Sequence, residues 1–410
     1  PARKQFLVGL GHVYKIEARG NNRFNDVKRE WQTLLNRCEL EGDATALGTG
    51  PLLFGGFSFD PEAKKTALWR SFPDALFIVP TYLLSVMNGE CWLTVNRLVE
   101  QKARSPHYNK EIEHIISRAQ LIKREWQQQN RTTRTAYKLT DLDVDKWKCA
   151  ETVAAEQIRA GGMDKVALAR EIRMELAENI DLSQVIQRLD DEQTESYVFA
   201  IEQGDDCFLG ASPERLVKRV GDKLYSMCLA SSIARGKTEE EDARLGQTLL
   251  ESDRYRVEHE IVVQMIKEAM EQVCDHVDIA AEPTLFKARY IQHLYTPVTG
   301  QVRQGAGLLS TVEKLHPTPA LGGYPQQKAV QKIREMEAVD RGWYASPIGW
   351  MDRNGDGEFI GAIRCGLLRG QRASLFVGNG IVADSDAESE FAETRLKPRP
   401  MLSALGGENL

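Results

Sequence analysis

The sequence lacks the features that mark membrane, secreted and nucleic-acid-binding proteins. No apolar run approaches the roughly 20 residues that a membrane helix needs, and no charged segment followed by an apolar one opens the chain. Acidic residues outnumber basic ones, 59 to 53, which gives a net charge of −6. An extended surface for nucleic acid or anionic lipid is therefore not expected. We expect a cytoplasmic protein that binds neither a membrane nor nucleic acid.

Cysteine is scarce and carries no recognisable metal or redox motif. The seven cysteines are an odd number and are spread widely, without a Cys-x-x-Cys pair. This pattern argues against a structural zinc site and a dithiol redox centre. We expect reduced, mostly buried thiols.

Internal repeats are also absent, which argues against a solenoid. Strand-like runs with few intervening crossover helices argue against a doubly wound nucleotide-binding fold. The Asn-, Gln- and Thr-rich stretch 127–135 is the best candidate for a linker. We therefore predict an N-terminal α/β region over residues 1–140 that completes the fold, and a second region over residues 141–410 that holds the motifs described below.

Apolar periodicity predicts the main elements of the second region. Helices are expected over 145–159, over 239–271 as one long helix, and from about Asp386. Strands are expected over 165–169 and 223–230, among others. The Asp- and Gly-rich segment 352–358 imitates the start of a calcium loop, but its twelfth position is Ile363 instead of a carboxylate. A hairpin turn is the better interpretation.

What the sequence does contain is an ordered set of short polar motifs. Residues 316–323 read His-Pro-Thr-Pro-Ala-Leu-Gly-Gly, which alone would indicate only a structural turn. Other motifs stand before and after it, around Lys165, Glu214, Glu258, Tyr344, Arg364, Gly378, Gly380, Glu390, Glu393 and Lys397. Several motifs in order are far more specific than any one of them. Over about residues 145–400 the set resembles the chorismate-utilising enzymes, which include anthranilate, aminodeoxychorismate, salicylate and isochorismate synthases.

This resemblance implies an α+β fold like that of anthranilate synthase component I. Two stacked, mainly antiparallel β-sheets would carry helices on their outer faces, with the site between the sheets. Chorismate would be the substrate. Water addition at ring C2 with loss of the C4 hydroxyl needs a base and an acid.

The family pattern assigns the base to Lys165 and the acid to Glu214. Lys165 must then lose its proton, which burial and nearby cations favour. Glu214 must keep a proton, so its pKa should be raised. Taken singly, Lys165 would be interpreted as a surface lysine and Glu214 as a turn carboxylate.

The resemblance also implies a magnesium site at Glu258, Glu390 and Glu393. Hard carboxylate oxygens suit Mg²⁺, and Glu390 and Glu393 are three residues apart, on one face of a helix. Glu258 and Glu393 are the expected direct ligands, with Glu390 direct or through water. A solvated acidic helix is the alternative.

A further group is expected to hold the substrate. Arg364 fits a bidentate clamp on a carboxylate, helped by Tyr344, Lys397 and the backbone amides around Gly378 and Gly380. His316 is assigned an orienting hydrogen bond in the site. His293, although it also matches the family pattern, is interpreted as structural.

The string 318–323 resembles that of the isochorismate synthases more than that of the ammonia-using relatives. Ala320 and Leu321 would form an apolar wall beside C2, and no glutaminase subunit is expected. Salicylate, anthranilate or aminodeoxychorismate synthesis, and a chorismate-binding protein without activity, remain alternatives. An isochorismate product would feed menaquinone or siderophore synthesis.

Three departures from the family pattern stand out. Ser231 occupies a position where glycine is usual, Asn379 replaces a small residue, and Pro398 and Pro400 follow Lys397 where a helix would normally continue. Ser231 is expected to lie next to the substrate, where its side chain could crowd the ring and reduce activity.

Overall fold

The computed structural model describes residues 5–42, 46–87, 89–99, 113, 117 and 136–407. The helices are α1 (Arg23–Leu35), α2 (Val144–Arg159), α3 (Leu182–Glu192), α4 (Glu239–Glu251), α5 (Asp253–Glu271), α6 (Leu308–Leu315), α7 (Gln326–Met336), α8 (Ala387–Thr394) and α9 (Arg399–Ala404), with a short 3-10 turn at Ala67–Trp69. The strands are β1 (Phe6–Leu10), β2 (Tyr14–Ala18), β3 (Leu52–Phe57), β4 (Ala75–Val79), β5 (Tyr82–Met87), β6 (Glu90–Val95), β7 (Tyr137–Asp141), β8 (Lys165–Leu176), β9 (Tyr197–Gln203), β10 (Asp206–Ser212), β11 (Arg215–Val220), β12 (Lys223–Ala234), β13 (Cys274–Ile279), β14 (Thr284–Lys287), β15 (Ile291–Val302), β16 (Gly323–Tyr324), β17 (Pro347–Asp352), β18 (Gly357–Gly361), β19 (Cys365–Arg369) and β20 (Arg372–Ile381).

Two large sheets and one small sheet organise these strands. The seven-stranded sheet has the order β16-β8-β20-β19-β10-β9, with β7 also paired to β8. The ten-stranded sheet has the order β13-β15-β12-β11-β18-β17-β3-β4-β2, with β14 also paired to β15. Pairing in these sheets is antiparallel. The predicted α+β class is confirmed, and the small sheet β1-β5-β6 is an addition that the sequence did not suggest.

The apolar core has an inner layer and two outer layers. The inner cluster joins the sheets, with Val166 and Phe376 from the seven-stranded sheet and Ile348 and Ile360 from the ten-stranded sheet. One outer cluster covers the ten-stranded sheet with α1, α5 and α6. The other covers the seven-stranded sheet with α3 and α9. Five helices therefore lie on the outer faces, whereas α2 and α7 pack against the inner cluster, and the site lies between the sheets.

Strands from the first part of the chain extend the ten-stranded sheet. Strand β3 pairs with β17, and Gly55 lies opposite Gly349. On its other edge β3 pairs with β4, and a Cβ on Gly55 would lie 2.0 Å from the carbonyl oxygen of Leu76 on that strand. The division of the chain near residue 140 stays a prediction, and the linker candidate 127–135 lies outside the described residues.

The element predictions were right in most places and wrong in one long helix. Helix α2 and the hairpin between β17 and β18 are confirmed. The helix predicted over 239–271 is two helices, because Ser252 is extended, with φ −73° and ψ 121°. Among the described residues, no helix is long and apolar enough to cross a membrane. All seven cysteines are free, and four of them are buried.

Candidate active site

A cavity of about 140 Å³ lies between the two large sheets. Strands β8 and β20 line it from one sheet and β12 and β15 from the other, with α5 and α8 contributing further side chains. The wall contains all but one of the predicted site residues: Lys165, Glu214, Ser231, Glu258, Ala320, Leu321, Tyr344, Arg364, Gly378, Gly380, Glu390, Glu393 and Lys397. Motifs that are far apart in the chain are thus brought to one place.

Strained backbone concentrates in this wall. Ser231, Ala345 and Arg364 line the cavity and have φ values of 55°, 59° and 53°. Residues other than glycine rarely adopt such values, which cost free energy and persist where surrounding structure holds them. Ala345 is anchored by the hydrogen bond from its amide to the carbonyl of Ala362.

Lys165 opens β8 and is buried, with 1% of its surface exposed. Strand β20 runs beside it in a regular ladder, which pairs Gly380 with Ala167. A Cβ on Gly380 would lie 2.4 Å from Cε of Lys165, so only glycine leaves room for this side chain. Lys165 Nζ donates a hydrogen bond of 2.7 Å to Oε1 of Glu258 on α5. The predicted base therefore forms a partly buried ion pair with a predicted metal ligand.

Glu258 is held in the ionised form. Burial acts to raise its pKa, but the Lys165 ammonium and hydrogen bonds from Lys165 and Ser231 outweigh burial, so the pKa lies below its ordinary value. Ser231 Oγ lies 2.8 Å from Oε2 of Glu258. Both carboxylate oxygens thus have a partner.

Glu214 lies in the turn between β10 and β11 and is 4% exposed. Burial raises the pKa of Glu214 to about 7, against the opposing effects of a Thr318 hydrogen bond and the charges of Arg364 and Lys165. Thr318 Oγ1 donates that bond over 3.3 Å to Oε1 of Glu214. A carboxyl group with this pKa can keep a proton near neutral pH, as the predicted acid requires.

Glu390 and Glu393, the carboxylates of α8 that line the cavity, are also paired with cations. Glu390 Oε1 accepts from Arg254 over 3.3 Å, and Glu393 Oε1 lies 2.8 Å from Nζ of Lys397. Burial and the nearby charge of Glu393 raise the pKa of Glu390. Asp386 caps this helix by accepting a hydrogen bond from the amide of Ser389.

Lys397, expected to bind substrate, is already fully engaged. Its ammonium lies 2.8 Å from the carbonyl oxygen of Gly378 and 2.8 Å from Glu393, and it also donates to Oδ1 of Asn379. An ammonium has three protons to donate. A direct contact with substrate would require one of these bonds to break.

Arg364 differs from the other cations of the cavity. Its guanidinium has no hydrogen-bond or ion-pair partner among the described residues, whereas Lys165, Arg254 and Lys397 each pair with a carboxylate. Burial lowers the pKa of Arg364, and the nearby Tyr344, Glu393 and Glu214 side chains oppose this effect. An unpaired guanidinium in a buried cavity suits an incoming carboxylate.

Of the two histidines considered, His293 lines the cavity and His316 does not. His316 is not in the wall that the described residues form, because Nε2 of its ring lies 2.9 Å from the carbonyl oxygen of Phe59 and its ring packs against Phe59. The orienting role assigned to His316 stays a prediction. His293, interpreted as structural, does line the cavity, and its buried Nε2 has no hydrogen-bond partner within the described part of the chain.

The environment of His293 defines its state. Burial, with Arg364 and Lys397 nearby, lowers the pKa of His293 to about 3, so the ring is neutral at pH 7. Nδ1 lies 2.8 Å from Oγ of Ser232. The match of His293 to the family pattern was the signal that could have identified it. Sequence reasoning also missed Arg254, another residue of the wall.

Comparison with known proteins defines the family. The family described as chorismate binding enzyme matches residues 1–406, and the chain belongs to it. It is 42% identical to isochorismate synthase MenF of Bacillus subtilis, over 100% of this chain and 87% of that protein. It is 36% identical to the salicylate biosynthesis isochorismate synthase of Pseudomonas aeruginosa, over 97% of this chain and 83% of that protein.

Solved structures show the same fold. The 2,3-dihydroxybenzoate-specific isochorismate synthase DhbC of Bacillus anthracis superimposes with a TM-score of 0.79 and 25% identity, over 99% of this chain and 94% of that one. Anthranilate synthase component I of Streptococcus pneumoniae superimposes with a TM-score of 0.77 and 20% identity, over 98% and 92%. The predicted architecture is confirmed by both.

Proposed function

We propose that this protein is an isochorismate synthase that interconverts chorismate and isochorismate with the help of Mg²⁺. The observation that carries the proposal is the meeting of Lys165, Glu214 and Arg364 in one cavity between the sheets. The names of the related proteins from Bacillus subtilis and Pseudomonas aeruginosa support the same reaction.

The reaction needs one proton removed and one supplied. Lys165, once released from Glu258 and deprotonated, would take a proton from the water that adds at C2, and protonated Glu214 would give one to the hydroxyl that leaves C4. One water enters and one leaves, so the product is an isomer of the substrate. The raised pKa of Glu214, about 7, supports its role as the acid.

The substrate's carboxylates need cations. Arg364 is the best candidate because its guanidinium is unpaired within the described part of the chain. Tyr344, Gly378 and Gly380 also line the cavity. We propose that Lys397 acts through Gly378 and Glu393, which its ammonium contacts.

The type of donor atom suits magnesium at three residues, Glu258, Glu390 and Glu393. All three line the cavity with carboxylate oxygens. Each is paired with a cation, and the described residues contain no group of three acidic, histidine or cysteine side chains already close enough to hold an ion. We propose that these three residues hold the ion after releasing their cations. When bound, Mg²⁺ supplies positive charge that offsets the substrate's carboxylates.

Water, not ammonia, is the proposed nucleophile. Ala320 and Leu321 give the cavity an apolar wall and offer no side chain to bind ammonia. No glutaminase partner is then needed. We place the reaction in the cytoplasm, where the free cysteines would stay reduced, with menaquinone or siderophore synthesis as the use of the product.

The test is to incubate purified protein with chorismate, with and without Mg²⁺ and ammonia, and to identify the products by chromatography and mass. We expect isochorismate that depends on Mg²⁺ and is indifferent to ammonia. Salicylate, anthranilate or aminodeoxychorismate as the main product would contradict the proposal, as would chorismate binding without turnover.

A further inference from the structure

Ser231 stands at an irregular point of the cavity wall. The register between β12 and β15 shifts between Ala230 and Ser232, so Ser231 is the extra residue of a bulge. Its φ of 55° favours glycine. A serine is strained here, and its hydroxyl makes contacts that a glycine could not make.

The hydroxyl of Ser231 contacts a carboxylate of the cavity wall. Oγ lies 2.8 Å from Oε2 of Glu258 and 2.8 Å from the carbonyl oxygen of Tyr255. A hydroxyl has one proton, and the ionised carboxylate is the stronger acceptor. Because Lys165 holds Oε1 of the same group, Ser231 completes the orientation of Glu258.

Asn379 makes the equivalent contact on the other side of the acidic set. It lies on β20 and is 3% exposed. Its amide donates to Oε2 of Glu390 over 2.7 Å and to the backbone carbonyl of Glu390 over 2.9 Å. Its Oδ1 accepts from Lys397. A strand residue thereby holds both the side chain and the backbone of a residue on α8.

We propose that Ser231 and Asn379 are positioning residues that orient the carboxylates of Glu258 and Glu390 for Mg²⁺, a role that rests on the proposed function. A carboxylate oxygen that accepts one hydrogen bond keeps a lone pair for a metal ion. Hydrogen bonds from outside the ligand set orient metal ligands and strengthen binding. Two of the side chains that depart from the family pattern thus act on the same set of carboxylates.

The experiment measures the affinity of the full chain for Mg²⁺ alone by calorimetry, without turnover, beside urea unfolding of each variant. Ser231→Ala removes the hydroxyl and keeps a strained side chain. Ser231→Gly removes the hydroxyl and relieves the strain, so it is expected to fold at least as well as the parent. Asn379→Ala tests the second contact. Ser226→Ala is the control, since this buried serine of β12 donates instead to the carbonyl of Leu216.

We expect Mg²⁺ to bind about 10- to 100-fold more weakly in Ser231→Gly, Ser231→Ala and Asn379→Ala, with Ser226→Ala unchanged. Unaltered Mg²⁺ affinity in a folded Ser231→Gly protein would overturn the proposal, because strain relief would then be the only effect. Absence of Mg²⁺ binding in the parent would overturn it too. Weakened binding in the variants together with a parent that forms no isochorismate would support positioning while rejecting the proposed activity.

Discussion

Two regions of the cavity bury a glutamate and leave it in opposite states. In the turn after β10, burial raises the pKa of Glu214 to about 7, and its hydrogen-bond partner is the neutral hydroxyl of Thr318. On α5, the same loss of water is outweighed by Lys165 and Ser231, and the pKa of Glu258 is lowered. The partner, and not burial alone, decides whether the group is an acid or an anion.

Removing Lys165, the cation that keeps Glu258 ionised, should have the largest effect on activity. Lys165→Ala deletes the proposed base and leaves Glu258 without its cation, so we expect kcat to fall by about 10²- to 10⁴-fold while chorismate binding persists. Steady-state rates and a chorismate titration measure the two quantities. Lys146→Ala, at an exposed lysine on α2, is the control. An active Lys165→Ala enzyme would remove Lys165 from the mechanism.

Removing the charge of Glu258 should weaken the binding of Mg²⁺. Glu258→Gln keeps the shape of the side chain and loses its charge, so we expect the Mg²⁺ concentration for half-maximal rate to rise about 10- to 100-fold. A magnesium titration of the rate tests this. Glu388→Gln, at an exposed carboxylate on α8 that pairs with Lys148, should behave like the parent. An unchanged requirement in Glu258→Gln would place the ion elsewhere.

Displacing the Lys165 ammonium should have an intermediate effect on the rate. In Gly380→Ala the new Cβ would collide with Cε of Lys165, 2.4 Å away, and push Nζ out of place. We expect kcat to fall about tenfold, since small misplacements of catalytic groups are costly. Gly307→Ala is the control, because its Cβ would have no neighbour nearer than 3.8 Å. Equal rates for the two variants would show that the fit around Lys165 is loose.

The smallest effect should come from the partner of Glu214. Thr318→Val removes a hydrogen bond that favours the carboxylate, so the pKa of Glu214 should rise further above about 7. Activity that needs protonated Glu214 is lost as pH increases through this pKa, and the loss should therefore occur at higher pH in the variant. The pH profile of kcat/KM shows this shift. Thr311→Val, which removes a buried bond to Gly307, should leave the profile in place.

Sequence reasoning reached the fold class and most of the cavity wall through the ordered motifs, because each motif belongs to a strand or helix that faces the same space. The predictions from sequence failed where the local residue pattern does not show a change in chain direction or a pairing between distant strands. The break at Ser252 divides a segment whose helical periodicity looked continuous. The small sheet of β1, β5 and β6 depends on pairing between distant segments, which periodicity does not reveal.

By itself, the sequence determined the family, the types of side chain available for acid, base and metal chemistry, and the unusual residues Ser231 and Asn379. Only the tertiary structure decided which groups touch. It put His293 in the cavity and His316 against Phe59, and it brought the Ser231 hydroxyl to Glu258. The physical reason is that hydrogen bonds and charge pairing act over a few ångströms. Residues far apart in the chain acquire their partners, and hence their protonation states, only when the sheets stack.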